Sequence, residues 1–326
     1  RTAAVPGQVS AEVAAISPQA PRRMTLDSIG RDDGDGGPLR LLVYGVEGVG
    51  KTKFAAQAPG AVFLCPEDSR VYGASRFPPP ETWDEVLDAV RLLADGGHEY
   101  RTLVIDTLDW VEPIVWRHVL SRLGKASMED LKYGIGYNEA LVDWRRLVSE
   151  LERLRRLRRM SVILVAHTQI RRFENPGGDG WDRYQLKIHD TPGKSAAALW
   201  REWCDVVLFA NFEDYGRRDA SARVAKGVHT GARFVHTEHS AHYDAKNRHN
   251  LPPRLPLSWQ AFEDAMRDGS GADPDAVVAS ILGTVAEIGD QALEAKVRAA
   301  LAEAGRHVPS LAMIENRVRA VLADRA

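Results

Sequence analysis

The sequence predicts an α/β protein, a mostly parallel sheet flanked by helices with a small helical domain behind it, and three observations carry that expectation. Short apolar runs alternate with helical patterns from residue 39 to 106, the rhythm of βαβ units. The run "SVILVA" (161–166) is apolar without interruption, as a parallel strand is when helices cover both of its faces. After "RDGSGADPD", which reads as a linker, Ala, Leu, Ile and Val recur at helical spacing.

Taken in order, residues 1–38 are expected to form a flexible arm. Residues 1–23 are rich in Ala, Pro, Ser and Gln, and "GRDDGDGGP" (30–38) is a Gly/Asp turn cluster. The core, 39–268, opens with strand 39–45, helix 51–57, strand 61–65, helix 82–94 and strand 102–106. Helix 108–122 follows, then a long helix over 137–159 in which Leu147, Leu151, Leu154 and Leu157, spaced by four and three, mark a buried face. Strand 161–166 is expected at the centre of the sheet. The polar, Gly-rich stretch 169–194 is too long for an ordinary connection and reads as a functional loop. Helix 193–203, strand 205–211 and β-like runs at 221–228 and 232–237 give the sheet an antiparallel extension. Helices near 274–287, 290–304 and 309–323 make up the C-terminal domain, 273–326.

Composition narrows the function classes. The 326 residues, 44% of them hydrophobic, suffice for a large domain plus a small one. A formal net charge of -2 excludes a generally basic coat, so any nucleic-acid contact is confined to a local patch. Cys65 and Cys204 lie far apart in apolar runs and read as reduced core thiols, which fits a reducing cytoplasm. No apolar run reaches the roughly 20 residues that span a bilayer, and no signal-peptide h-region is seen, so no membrane partner is expected.

The sharpest motif is "GVEGVGKT" between a strand and a helix. Its Gly45, Gly50, Lys51 and Thr52 have the P-loop spacing G-x-x-x-x-G-K-[ST]. Backbone N–H groups along Gly45, Val46, Glu47, Gly48, Val49, Gly50, Lys51, Thr52 and Lys53 would cradle phosphates, and the helix start adds partial positive charge. Lys51 would reach the β- and γ-phosphates, and the Thr52 hydroxyl would ligate Mg²⁺. "TLVIDT" ends a strand with Asp106, the expected Mg²⁺-holding carboxylate. "AVFLCPED" ends with Glu67 and Asp68, and a carboxylate there would orient the attacking water. An N-K-x-D base-reading motif is absent, so ATP is the expected nucleotide. "HTQ" follows the central strand: Gln169 is the expected γ-phosphate sensor, and His167 is equally readable as a sensor or as a structural histidine.

This order of motifs resembles the RecA-like P-loop NTPase core. Taken with "TLVIDTLDWVEP", "YGIGYNEAL", "DRYQLKIH", "REWCDVVLFANFED" and "YDAKNRHNLPPRLPLSW", the chain looks like phage-type nucleotide-binding proteins of the AAA_24 kind over about 25–262. These include recombinase-like ATPases that phages use with single-strand annealing. The resemblance implies a homo-oligomer, ring or filament, and a Lys-x-Arg pair reaching the neighbouring subunit's γ-phosphate. Lys246 and Arg248 in "AKNRH" match that pattern. It also implies a single-stranded DNA partner, contacted by loops at about 124–137 and 170–192. The second offers Arg171, Arg172, Phe173, Trp181, Arg183, Tyr184 and Lys187, cations and rings of the kind that hold single strands. Glu174, Asp179, Asp182 and Asp190 nearly cancel its charge. A nucleotide-gated assembly protein that does not process DNA is the second expectation.

Overall fold

The computed structural model describes residues 25, 37–67, 73–175, 177–217, 226–269 and 274–304, and seven positions between 311 and 322. Most of the expected arm (1–38), Asp68, and much of the helix expected at 309–323 lie outside the described residues.

In chain order the elements begin with β1 (Arg40–Gly45), α1 (Lys51–Ala56), β2 (Ala61–Leu64), β3 (Ser75–Arg76), α2 (Trp83–Asp95), β4 (Thr102–Asp106), α3 (Leu108–Leu123) and α4 (Ile135–Arg158). They continue with β5 (Ser161–Phe173), β6 (Trp181–Leu186), α5 (Ala196–Trp203), β7 (Val206–Arg217), β8 (Lys226–His236), β9 (Lys246–Asn247), β10 (Arg254–Pro256), α6 (Trp259–Gly269), α7 (Pro274–Ile288) and α8 (Gln291–Ala304). The sheet runs β10-β8-β7-β1-β5-β4-β2-β3, parallel from β7 to β3 and antiparallel at β8 and β10.

The strand after α1 is not a neighbour of β1. Two strands, β5 and β4, are inserted between them, so the carboxyl ends of β1, β5 and β4 stand side by side under the P-loop. Such a reversal of strand order opens a crevice at the carboxyl edge of a parallel sheet.

Helices cover both faces because successive side chains in each central strand point to opposite sides. Leu42 and Tyr44 of β1, Leu103 and Ile105 of β4, and Val162 and Leu164 of β5 join one core with α2, α3, α4 and α5. Leu41, Val43, Val104, Ile163 and Val165 join the other with α1 and α6. On the first face, Trp83, Trp144, Trp200 and Trp203 stack edge-on in sequence, with centroids 5.8, 5.4 and 5.7 Å apart. They lock α2, α4 and α5 together. The start of α2 is set by a capping box in which Thr82 accepts from Glu85 N–H and the Glu85 carboxylate accepts from Thr82 N–H.

Several expectations change. The stretch read as a long loop after residue 169 is chiefly a hairpin, because β5 continues to Phe173 and pairs antiparallel with β6. These strands have left the helix-covered sheet, so they need no continuous apolar run and look polar in sequence. The segment before α4 contains two 3₁₀ turns, Met128–Asp130 and Lys132–Gly134. Leu157 is 53% exposed, because the inner face of the last turn of α4 is taken by Arg155, buried and bonded to the Pro38 carbonyl, and by Arg158, which bonds the Ala94 carbonyl. The two β-like runs become one strand, β8, and residues 221–225 lie outside the described residues. Beyond α6, α7 and α8 share a separate apolar cluster built on Ile281, Val285 and Val297. Among the described residues no helix is long and apolar enough to cross a membrane.

Candidate nucleotide site

The site grows from the register of three strands. Gly45 ends β1 opposite His167 of β5 and Ala210 of β7, and Asp106 ends β4 opposite Val165 of β5. At Gly45 a Cβ would stand 1.9 Å from the Ala210 carbonyl oxygen, so the loop can begin only at a glycine. Gly50 has φ 110°, which an L side chain rarely adopts, and there the loop turns into α1. This geometry carries Lys51 and Thr52 back over the strand ends.

Lys51 is buried and its Nζ donates to the carbonyl oxygens of Gly45 and Val46, at 3.0 and 2.8 Å. Burial lowers its pKa to about 8, partly opposed by Asp106, Asp109 and Glu47. Thr52 Oγ1 donates to Asp106 Oδ2 at 2.7 Å. Asp106 is 3% exposed; burial raises its pKa, and the Thr52 bond and the Lys51 charge pull it back. Glu67, three residues past the end of β2, is half-buried and lies close enough for its charge to act on Asp106. Lys51, Glu67, Thr52 and Asp106 thus converge.

The donor set fits a Mg²⁺–nucleotide pair. A hydroxyl and a carboxylate in contact are hard oxygen ligands, and Mg²⁺ commonly takes one or two protein oxygens and completes its shell from phosphates and water. Among the described residues no group of three or more His, Cys, Asp or Glu side chains could hold a metal alone.

His167 and Gln169 sit where β5 leaves the main sheet. Asp109, in the first turn of α3, accepts from His167 N–H at 2.9 Å and pairs with its Nδ1 at 2.8 Å. Burial opposes ionisation of Asp109, but these bonds and the neighbouring imidazole lower its pKa overall. Gln169 Nε2 donates to the Leu186 carbonyl across the hairpin at 3.0 Å. It holds the hairpin's root.

Sequence reasoning missed Asp109, Glu112 and Arg233. Asp109 and Glu112 stand three apart directly after "VIDT", a spacing that puts them on one helix face and was visible in the sequence. Arg233 had no such signal. It is delivered by β8, lies over the Phe212 ring at 5.6 Å, and its Nη1 would be 3.2 Å from a Cβ at Gly50.

The residues expected to meet DNA divide. Arg171, Arg172 and Lys187 are exposed on the hairpin, and Lys187 lies 3.9 Å from Glu47 of the P-loop. Arg183 and Tyr184 point inward, against expectation. Arg183 pairs with Asp244 at 2.6 Å and is 12% exposed, and Tyr184 packs on Phe209 at 5.0 Å. Phe173 is half-buried against Trp181, 5.0 Å between centroids. Alternate residues of β6, Trp181 and Arg183, bond the 240–244 segment, and the intervening register gives Tyr184 to Phe209 and the core.

Lys246 and Arg248 lie at the opposite, amino-terminal edge of the sheet, where β9 pairs with Val206 and Val207. Lys246 Nζ donates to the carbonyls of Arg201, Glu202 and Cys204 at 3.1, 3.0 and 2.6 Å, closing the C-terminus of α5. The ammonium expected to reach a neighbour is spent on its own helix. Arg248 stays 57% exposed, with a 3.4 Å contact to Asp205, which is already forked by Arg40.

A family profile described as an AAA domain, AAA_24, matches residues 37–249. None of the curated proteins matches the chain. Among solved structures, one titled "Crystal structure of the RadB recombinase" is similar at 12% identity and a TM-score of 0.40, covering 69% of this chain and 90% of that one.

Proposed function

The chain belongs to the AAA_24 family of AAA domains, and from that premise we propose that it binds ATP with Mg²⁺ and hydrolyses it to act on single-stranded DNA, in recombination, annealing or replication. The observation that carries the nucleotide part is the Thr52–Asp106 contact at 2.7 Å beside a buried Lys51 at the carboxyl edge of a parallel sheet. Bound Mg²⁺ would neutralise charge on the β- and γ-phosphates. Lys51 would exchange its two carbonyl partners for phosphate oxygens, Thr52 and Asp106 would hold the metal, and Glu67 would accept a proton from the water that attacks the γ-phosphorus as ADP leaves. Arg248, exposed and weakly held, is the residue we assign to a neighbouring subunit's phosphate in a homo-oligomer. Arg171, Arg172 and Lys187 on the hairpin supply the phosphate contacts to a single strand.

The test is ATP hydrolysis with and without single-stranded DNA across a salt series. The reading expects stimulation that fades with rising salt and vanishes in Lys51→Ala. Hydrolysis indifferent to DNA at low salt would remove the DNA part. A second reading, a nucleotide-gated assembly ATPase, is favoured by one observation: exposed Glu174, Asp179 and Asp182 stand against the three exposed cations on the same hairpin. It expects assembly with ATP and no binding to single strands at any salt.

A further inference from the structure

The first turn of α3 begins two residues after Asp106 and carries two buried carboxylates on one face. Asp109 holds His167, the root at which β5 leaves the sheet. Glu112, 6% exposed, accepts from His189 N–H at 2.8 Å, three residues past the end of β6. One helical turn therefore grips both roots of the hairpin. The His189 ring lies parallel to Tyr137 in the first turn of α4, centroids 3.8 Å apart at 5°, and its Nε2 is buried without a hydrogen-bond partner. The segment before α4 is thereby tied to the same grip. The nucleotide chemistry of Asp106 needs neither Glu112 nor His189.

We infer that Glu112 is a positioning residue that couples the nucleotide site to the β5–β6 hairpin, transmitting displacements of the α3 start through His189. This rests on the nucleotide reading above. It needs nothing from Gln169, whose amide bonds lie within the hairpin itself.

The charge state of Glu112 supplies a readout that a purely structural role would lack. Burial raises its pKa to about 7, and Asp109 on the same helix adds to this, while the His189 N–H and Arg171 of β5 oppose it. Beside His189 stand Asp190 and Lys194, and burial lowers the pKa of His189 itself. An ionised Glu112 accepts the His189 N–H more strongly than a protonated one, so the grip tightens as pH rises through about 7.

The experiment is amide hydrogen exchange of residues 168–189 with and without a non-hydrolysable ATP analogue, at pH 6 and pH 8, on the full chain. Analogue binding is measured separately by calorimetry. In the wild type the analogue is expected to change exchange at the hairpin several-fold at pH 8 and less at pH 6, after correction for intrinsic exchange rates. In Glu112→Gln, which keeps an acceptor oxygen, analogue binding should be unchanged and the pH difference lost. In Glu112→Ala the hairpin response itself should be lost. Binding of the analogue with a hairpin that ignores it in the wild type overturns the coupling and leaves the nucleotide reading standing. So does a Glu112→Gln that behaves as wild type at both pH values. Absence of analogue binding in the wild type overturns both.

Discussion

At the scale of single residues, Lys51 and Lys246 show how one side-chain type serves two ends. Both are ammonium groups held by backbone carbonyls, but Lys51 bonds two carbonyls of its own glycine-rich loop, and Lys246 bonds three at a helix terminus. Lys51→Ala is expected to lower kcat/KM for ATP by at least about 10²-fold, the scale of losing one preorganised charge contact in a closed site. Its pKa gives a pH test. Burial depresses it to about 8 from 10.5, so the folded state sheds this proton first and gains relative stability as pH rises between those values. Phosphate binding requires the charged form, so ATP affinity should fall as pH rises through about 8. An affinity flat from pH 7 to 9.5 would contradict that assignment. Lys246→Met should cost about 1–2 kcal/mol in urea unfolding, the scale of losing charge-assisted bonds at a half-buried site. Arg248→Ala should barely move the urea midpoint, and should lower ATPase activity at high protein concentration if its guanidinium serves a neighbouring subunit.

At the scale of elements, the hairpin is where periodicity misleads. A strand in the covered sheet is recognisable as "SVILVA", but its continuation "HTQIRRF" pairs with a single strand on one edge and carries polar residues on both sides. Backbone hydrogen bonds, not apolar burial, hold it extended. This division separates two classes of arginine substitution. The double variant Arg171→Ala/Arg172→Ala should reduce the slope of log affinity against log salt by roughly 1.4 for single strands, about 0.7 per phosphate contact. Arg183→Ala, which breaks the Asp244 pair, should lower thermal stability and leave that slope unchanged. A slope that responds to Arg183 would move the DNA path to the other hairpin face.

At the scale of the whole molecule, two cores on the faces of one sheet are distinct from the small cluster of α7 and α8. We therefore expect truncation after residue 269 to leave the thermal midpoint of the core within a few degrees and ATP hydrolysis intact, measured by calorimetry and phosphate release. Loss of soluble, folded protein on truncation would show that the C-terminal helices complete the core. Oligomerisation belongs to this scale too. The exposed Arg248 lies at the amino-terminal edge of the sheet and the P-loop at the carboxyl edge, so a neighbour supplying Arg248 would have to bring opposite edges of two subunits together. Sedimentation with and without ATP should show assembly that Arg248→Ala weakens.

Much of the fold is legible in the sequence, because a covered parallel sheet demands continuous apolar strands and a P-loop demands glycine at fixed offsets. The sequence alone determined β1, β4, the inner half of β5, and the set Lys51, Thr52 and Asp106, whose signals are local. What only the tertiary structure decided depends on partners far along the chain. Arg233 comes to Gly50 through an antiparallel strand pairing. Arg183 turns inward because Asp244 is there to receive it. Lys246 is captured by the end of α5, which lies over forty residues earlier. Glu112 gains its bond to His189 only when α3 and the hairpin pack together. Charge and spacing name the residues able to do chemistry; long-range packing selects which are free to do it and which are spent holding the fold.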